Sequence, residues 1–356
     1  MSRLQVLQKN ITTMNLDGII ITNPENRRYL SGFSGSAGVL LISGNESYIV
    51  TDFRYWEQVS QEVSEFELKK QGPSLWPTIV DIINSLKWKK VGFEAGNITY
   101  NDFQTFTPLF STDIDLTPTT DLVEKQRWIK EEIEVTIIAK AAKITDEALK
   151  KTLAIIKPGI KEREIALEFD YQLRLLGADG SAFKTIVISG KKSALPHGAP
   201  SDKEVVSGEL VLIDGGALYQ GYHADMTRTF VLGSATTEQK RIYKIVLEAQ
   251  KKVLNYLKAG LIGSEVDKIA RDYLAEQGFK ENFGHGLGHS VGLNIHESPR
   301  LSPTEANIIP KGAVITVEPG VYLPDWGGIR IEDLVVVNDK GITNLTSSPK
   351  DQLMEL

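Results

Sequence analysis

Four carboxylates and one imidazole constrain this chain more than any other feature of its sequence. All five histidines lie between residues 197 and 296. They are interleaved with acidic residues in the order Asp214, Asp225, His289, Glu318, Glu332. Each of these five positions ends a strand-like run or stands beside glycines, where a side chain can face a cleft. Brought to one point, four carboxylates and an imidazole repel one another unless cations lie between them. A fold that gathers them therefore calls for a pair of divalent metal ions.

The local patterns favour gathering. VLIDGG (211–216) and HADMTRTFVL (223–232) flank a short polar stretch. A hairpin turning near Tyr219-Gln220 would make Asp214 and Asp225 cross-strand neighbours on one face. His289 lies in GHGLGHSVGLNIHE (284–297), where glycines let the backbone approach closely. His285 and His289 have the four-residue spacing of a zinc-protease helix. Glycines at 284, 286 and 288 disfavour that helix, and the glutamate that should follow its first histidine is absent. Glu318 ends the strand pattern AVITVEPG and shares a face with Thr316. Arg330 and Glu332 alternate with Ile329 and Ile331 in GIRIEDLVVV. Taken singly, each residue reads as an ordinary turn, core histidine or surface salt bridge; taken together they read as a site.

With 356 residues the chain is long enough for two domains, and its 41% hydrophobic and 24% charged content is that of a globular protein. A net charge of −6 gives no electrostatic case for nucleic acid or an anionic membrane. The basic cluster Lys87–Lys90 around Trp88 reads as solvated surface. The absence of cysteine excludes disulfides, thiolate metal sites and a cysteine nucleophile. The opening MSRLQVLQKN lacks the apolar core of a signal peptide, and no apolar run approaches the length of a membrane span. A cytoplasmic location is expected.

Periodicity divides the chain. GIIIT (18–22), VLLIS (39–43), YIVTD (48–52) and KVGFE (90–94) predict strands, and 2–15, 53–64 and 75–86 predict helices. Turn formers followed by charge in LTPTTDLVEKQR (116–127) place a boundary there, giving a smaller α/β domain at 1–124 and a larger domain at 125–356. The larger domain predicts helices near 129–156, 161–176, 237–258 and 263–277 among strands from 185 onward, an α+β arrangement with several antiparallel pairs. SGFSGSAG (31–38) lacks the lysine and spacing of a phosphate loop and reads as a tight loop between strands.

VLIDGGALYQGYHADMTRTF, GHGLGHSVGLNIHE, VEPGVY and GIRIEDLV resemble the signature blocks of the pita-bread metallopeptidases, which include methionine aminopeptidase, aminopeptidase P and prolidase. NRRYLSGFSGSAG and TDFRYWEQ resemble the additional N-terminal domain of the creatinase, prolidase and aminopeptidase P branch. HESPR (296–300) resembles the prolidase version of its block. The resemblance implies a pita-bread catalytic domain behind a creatinase-like α/β domain, with two divalent ions, Mn²⁺ first and Co²⁺ or Zn²⁺ as alternatives. By the same resemblance Asp214 holds one ion with both oxygens, Asp225 and Glu332 bridge, and His289 and Glu318 complete the other ion's shell. His197 (in ALPHG) and His296 contact substrate or the reacting centre, and Arg330 matches an arginine that this branch carries and is expected, with Arg300, to bind substrate. His223 and His285 have no counterpart. A homodimer is expected.

The function implied is hydrolysis of Xaa-Pro bonds in dipeptides or short peptides by a hydroxide shared between two ions about 3.5–4 Å apart. Glu318 is the expected general base, His296 or His197 the stabiliser of developing charge, and Arg300 the expected partner of a proline carboxylate. Alternatives are aminopeptidase P acting on longer peptides and a non-catalytic binding protein on the same fold.

Overall fold

In the N-terminal part, the runs Gly18–Ile21, Val39–Ser43, Ser47–Thr51 and Lys90–Glu94 are strands, as their apolar and β-branched content predicts. Glu67–Lys70 and Asp115–Thr119, too polar to stand out, complete a six-stranded mixed sheet at its two edges. Both are edge strands with one unpaired side, which explains their charge and the proline at 118. Arg3–Thr13 and Leu75–Ser85 are helices, and the third expected helix is a 3₁₀ turn, Phe53–Tyr55, leading into Trp56–Glu62. Ile79, Ile83, Val91 and Phe106 lie in the buried core against this sheet.

The segment 31–38 corrects an expectation. It does not join two strands. It follows an unpredicted helix, Pro24–Ser31, capped by Asn23 and ended by Gly32 at φ 77°. The Arg27 guanidinium holds the loop, donating to the carbonyls of Gly38 at 2.7 Å and Gly35 at 2.6 Å.

The computed structural model describes residues 1–356 and separates into two compact units, Met1–Arg127 and Trp128–Leu356. The boundary expected at 124/125 falls at the first residue of the short helix Glu124–Arg127.

The second unit carries four long helices: Glu132–Leu153, Glu162–Leu175, Thr237–Tyr256 and Gly263–Glu276. Its strands form two main sheets. One orders Met354–Glu355, Met226–Val231, Leu210–Gly215 and Ile186–Ser189. The other orders Glu297–Leu301, Gly288–Ser290, Val314–Val317, Asp333–Asn338 and Gly341–Asn344. One core runs through Val246, Val253, Leu274, Ile315, Val317, Ile331 and Val335. The strands that carry Glu318 and Glu332 are thus fixed from behind by the helix Thr237–Tyr256.

Candidate metal centre

The hairpin that carries both aspartates turns at Gln220-Gly221, where φ is 47° and 76°. Two consecutive positive φ values are what a tight two-residue hairpin turn needs, and glycine supplies one of them. The turn lies one residue beyond the expected position, and the register shifts with it. Thr227, not Asp225, pairs directly with Asp214. Asp225 lies two positions away and still shares the face of Asp214. Beside it the two strands come close at Gly216, where a Cβ would overlap the carbonyl oxygen of Ala224. Gly216→Ala is expected to destabilise the protein by on the order of 3 kcal/mol, whereas Gly96→Ala, with open space around it, should be near neutral. Equal denaturant midpoints for the two variants would remove this packing constraint.

The other residues arrive from the second sheet and its neighbour. His289 is central in the strand Gly288–Ser290, Glu318 follows Val314–Val317, and Glu332 links Gly327–Arg330 to Asp333–Asn338. One oxygen each from Asp214, Asp225 and Glu332 lie within 4.8 Å of one another. His289 Nε2 is 3.6 Å from Asp225 Oδ2 and 3.5 Å from Glu318 Oε1. All five line one cavity of about 570 Å³, together with His197, His285, His296, Arg300 and Arg330.

The electrostatics of this cluster favour a cation. His289 Nδ1 faces the Ser290 carbonyl at 3.1 Å, so it carries the proton and leaves a bare lone pair on Nε2 toward the carboxylates. Burial, then the neighbouring His296, depresses the His289 pKa to about 3, so no proton relieves the contact near neutrality. Burial pushes Glu318 up to about 8. Burial and then the charge of Asp214 raise Asp225 well above the carboxylate range, and burial and then Asp225 do the same to Glu332. Asp214 Oδ1, Asp225 Oδ1 and Glu332 Oε1 are buried without any hydrogen-bond donor. Buried carboxylate oxygens without donors are costly. Three of them on one cluster, beside an imidazole lone pair, fit a site for divalent ions.

The remaining expected residues separate into two groups. His296 packs its ring against His289, centroids 4.4 Å apart, and is exposed to the cavity, as is His197. Arg300 is exposed on the cavity wall; its backbone N–H donates to Glu305 Oε2 at 3.0 Å and its guanidinium is left to the cavity. Arg330 differs from the expectation of a substrate grip. Its guanidinium donates to Thr227 Oγ1 (3.0 Å), Pro196 O (3.3 Å), Tyr322 Oη (2.8 Å) and Asp214 Oδ2 (2.5 Å). Four of the five N–H groups of an arginine are thereby committed to the protein.

The two unassigned histidines have structural partners. His223 Nδ1 lies 3.0 Å from the Gly292 carbonyl and fastens the loop that leads to His296. His285 Nδ1 donates to Gly286 O at 2.8 Å, so its Nε2 accepts from the Tyr322 hydroxyl at 2.9 Å. Burial, then the Arg330 charge, lowers the His285 pKa to about 4 and keeps it neutral in this role.

Two further residues escaped sequence reasoning. Tyr322 connects His285 to Arg330. Gln250, fully buried on the helix Thr237–Tyr256, donates to Val317 O at 2.9 Å and Ile331 O at 3.2 Å. These carbonyls immediately precede Glu318 and Glu332. The available signal was a glutamine between Ala249 and Val253 on an apolar helix face.

A cavity lined from both sheets, on which four acids and the His289 imidazole converge, is the arrangement that the resemblance to the pita-bread metallopeptidases implies. Residues 136–339 match metallopeptidase family M24, and residues 3–129 match the Creatinase/Prolidase N-terminal domain. The chain belongs to metallopeptidase family M24 and is a peptidase. It is 38% identical to the Xaa-Pro dipeptidase of Pyrococcus furiosus over 99% of both chains. The solved Xaa-Pro dipeptidase from Bacillus anthracis superposes with a TM-score of 0.96 at 41% identity, covering 99% of each chain. The X-Pro aminopeptidase from Thermotoga maritima superposes with a TM-score of 0.89 at 39% identity, covering 96% of this chain and 99% of the other. No helix is long and apolar enough to cross a membrane.

Proposed function

We propose that this protein is an Xaa-Pro dipeptidase whose two divalent metal ions are held by Asp214, Asp225, His289, Glu318 and Glu332. The observation that carries this reading is the convergence of buried carboxylate oxygens that have no protein donor. A donor set of oxygens with one imidazole nitrogen suits Mn²⁺, with Co²⁺ and Zn²⁺ as alternatives. When bound, such ions polarise a scissile carbonyl and acidify a shared water.

The chain's own residues do the rest. Glu318 takes the proton of the attacking water on its carboxylate and delivers it to the leaving nitrogen as the C–N bond breaks. The nitrogen of an Xaa-Pro bond carries no hydrogen, so it leaves as a proline amine only after receiving that proton. His296 and His197, which line the cavity, donate hydrogen bonds to the carbonyl oxygen as it gains negative charge. Arg330 holds Asp214 in place. Phe183, Ile186, Pro196 and Ile295 supply apolar wall for a pyrrolidine ring. Arg300 takes the proline carboxylate of a dipeptide in a two-pronged hydrogen bond. The homodimer and the cytoplasmic location belong to the same reading.

Ala-Pro and Ala-Pro-Ala separate this reading from that of an Xaa-Pro aminopeptidase, which the likeness to the Thermotoga enzyme favours. Ala-Pro is expected to be the better substrate by kcat/KM. Arg300→Met should raise KM for Ala-Pro by about 10- to 100-fold, the usual loss of a charge-assisted hydrogen bond, with kcat changed far less. A preference for Ala-Pro-Ala that survives Arg300→Met would instead identify an aminopeptidase.

A further inference from the structure

We propose that Thr227 is a positioning residue of the metal centre: its hydroxyl joins the Arg330 guanidinium to Glu332 and sets which oxygen of Glu332 faces the other carboxylates. The inference rests on the metal-centre reading above. Thr227, Arg330 and Glu332 are all buried, at 0%, 3% and 1% exposure, so the hydrogen bonds among them are made away from bulk solvent.

The direction of each bond follows from valence. Arg330 Nε can only donate, and it lies 3.0 Å from Thr227 Oγ1. The hydroxyl therefore accepts from Arg330 and has its single proton free for Glu332 Oε2, 2.7 Å away. That bond gives Oε2 a donor and leaves Oε1 as the buried oxygen without one. Asp214 is arranged in the same way: Oδ2 takes Arg330 at 2.5 Å, and Oδ1 is without a donor. One guanidinium thus orients two carboxylates, Asp214 directly and Glu332 through Thr227.

The hairpin register makes this possible. Thr227 stands directly opposite Asp214, and Thr229, two residues on, accepts the backbone N–H of Arg330 at 3.2 Å. The backbone N–H of Glu332 also donates to Thr227 O at 3.1 Å, which fixes the chain but not the carboxylate. The last torsion of a glutamate is broad. Only the Thr227 hydroxyl restricts it here among the hydrogen bonds of the side chain.

The test compares wild type, Thr227→Val and Thr227→Ser, each stripped of metal and titrated with Mn²⁺ alone by calorimetry. Melting of the metal-free proteins is followed in parallel. Thr227→Val keeps the shape and removes the hydroxyl; it should lose about 10- to 100-fold in Mn²⁺ affinity, the usual effect of removing a group that orients a ligand. Thr227→Ser restores the hydroxyl and should bind within about threefold of wild type on the same scale. With Co²⁺ as the probe, the visible absorption of the valine variant should differ from that of wild type and serine. Unchanged Mn²⁺ affinity in Thr227→Val overturns the inference, as does a serine variant as weak as the valine one. If Thr227→Val does not fold, Thr227→Ala against Thr227→Ser makes the same comparison. A wild-type protein that binds no Mn²⁺ or Co²⁺ overturns the metal-centre reading itself, so the two failures are distinguishable.

Discussion

Replacing Glu318 by glutamine is expected to lower kcat on an Xaa-Pro dipeptide by about two to four orders of magnitude. The substitution keeps the shape and one carbonyl oxygen while removing the site that accepts and returns a proton. In the proposed mechanism Glu318 serves both tasks, and two hydrogen bonds fix its position. Its backbone N–H is fixed by Leu287 O at 2.8 Å, and its Oε1 accepts from Thr316 Oγ1 at 3.2 Å. Thr316 Oγ1 in turn accepts the backbone N–H of His289 at 3.0 Å, which ties the glutamate to the imidazole strand. Because Glu318 is also a proposed metal ligand, metal content should be measured on the same variant. A large fall in kcat with both ions retained assigns the loss to proton transfer. A near-normal rate removes Glu318 from the chemistry.

The second large effect should come from metal removal. Exhaustive treatment with EDTA is expected to abolish turnover, and Mn²⁺ or Co²⁺ should restore it. Elemental analysis of the active protein should give close to two divalent ions per chain. Stability should follow activity. A ligand present at 100 times its dissociation constant stabilises the folded state by about 2.7 kcal/mol, so metal-free protein should melt at lower temperature and recover on reloading. The buried cluster gives the reason: without cations its carboxylates either repel one another or take up protons. Full activity in metal-free protein would sink the scheme, while a stoichiometry of one would sink only its two-ion form.

Much of this was legible beforehand, for reasons that differ by residue. Strands such as Val39–Ser43 and helices such as Gly263–Glu276 announce themselves because burial imposes a period on their apolar residues. Glu67–Lys70 and Asp115–Thr119 do not, because edge strands have a solvent side and carry charge. The helix Pro24–Ser31 was hidden by its two arginines, one of which, Arg27, is buried against loop carbonyls rather than solvated. Asp214 and Asp225 were placed on one face correctly, since strand periodicity survives a one-residue error in the turn. Their direct pairing was not, since register depends on which residues take positive φ.

Sequence by itself determined the chemical inventory of this protein: four acids and one imidazole within or beside strand-like runs, no thiol, and glycine at positions such as Gly216 where backbone comes close. It also determined the two-part α/β and α+β division, because periodicity is written in neighbouring residues. Only the tertiary structure decided which oxygen of Asp214 and of Glu332 meets a donor and which does not. Arg330 reaches Asp214 across more than a hundred residues, Thr227 reaches Glu332 across a similar span, and Gln250 holds the strands of Glu318 and Glu332 from a helix behind them. A carboxylate's open valence depends on donors delivered by the fold, and no spacing along the chain specifies which donor will arrive.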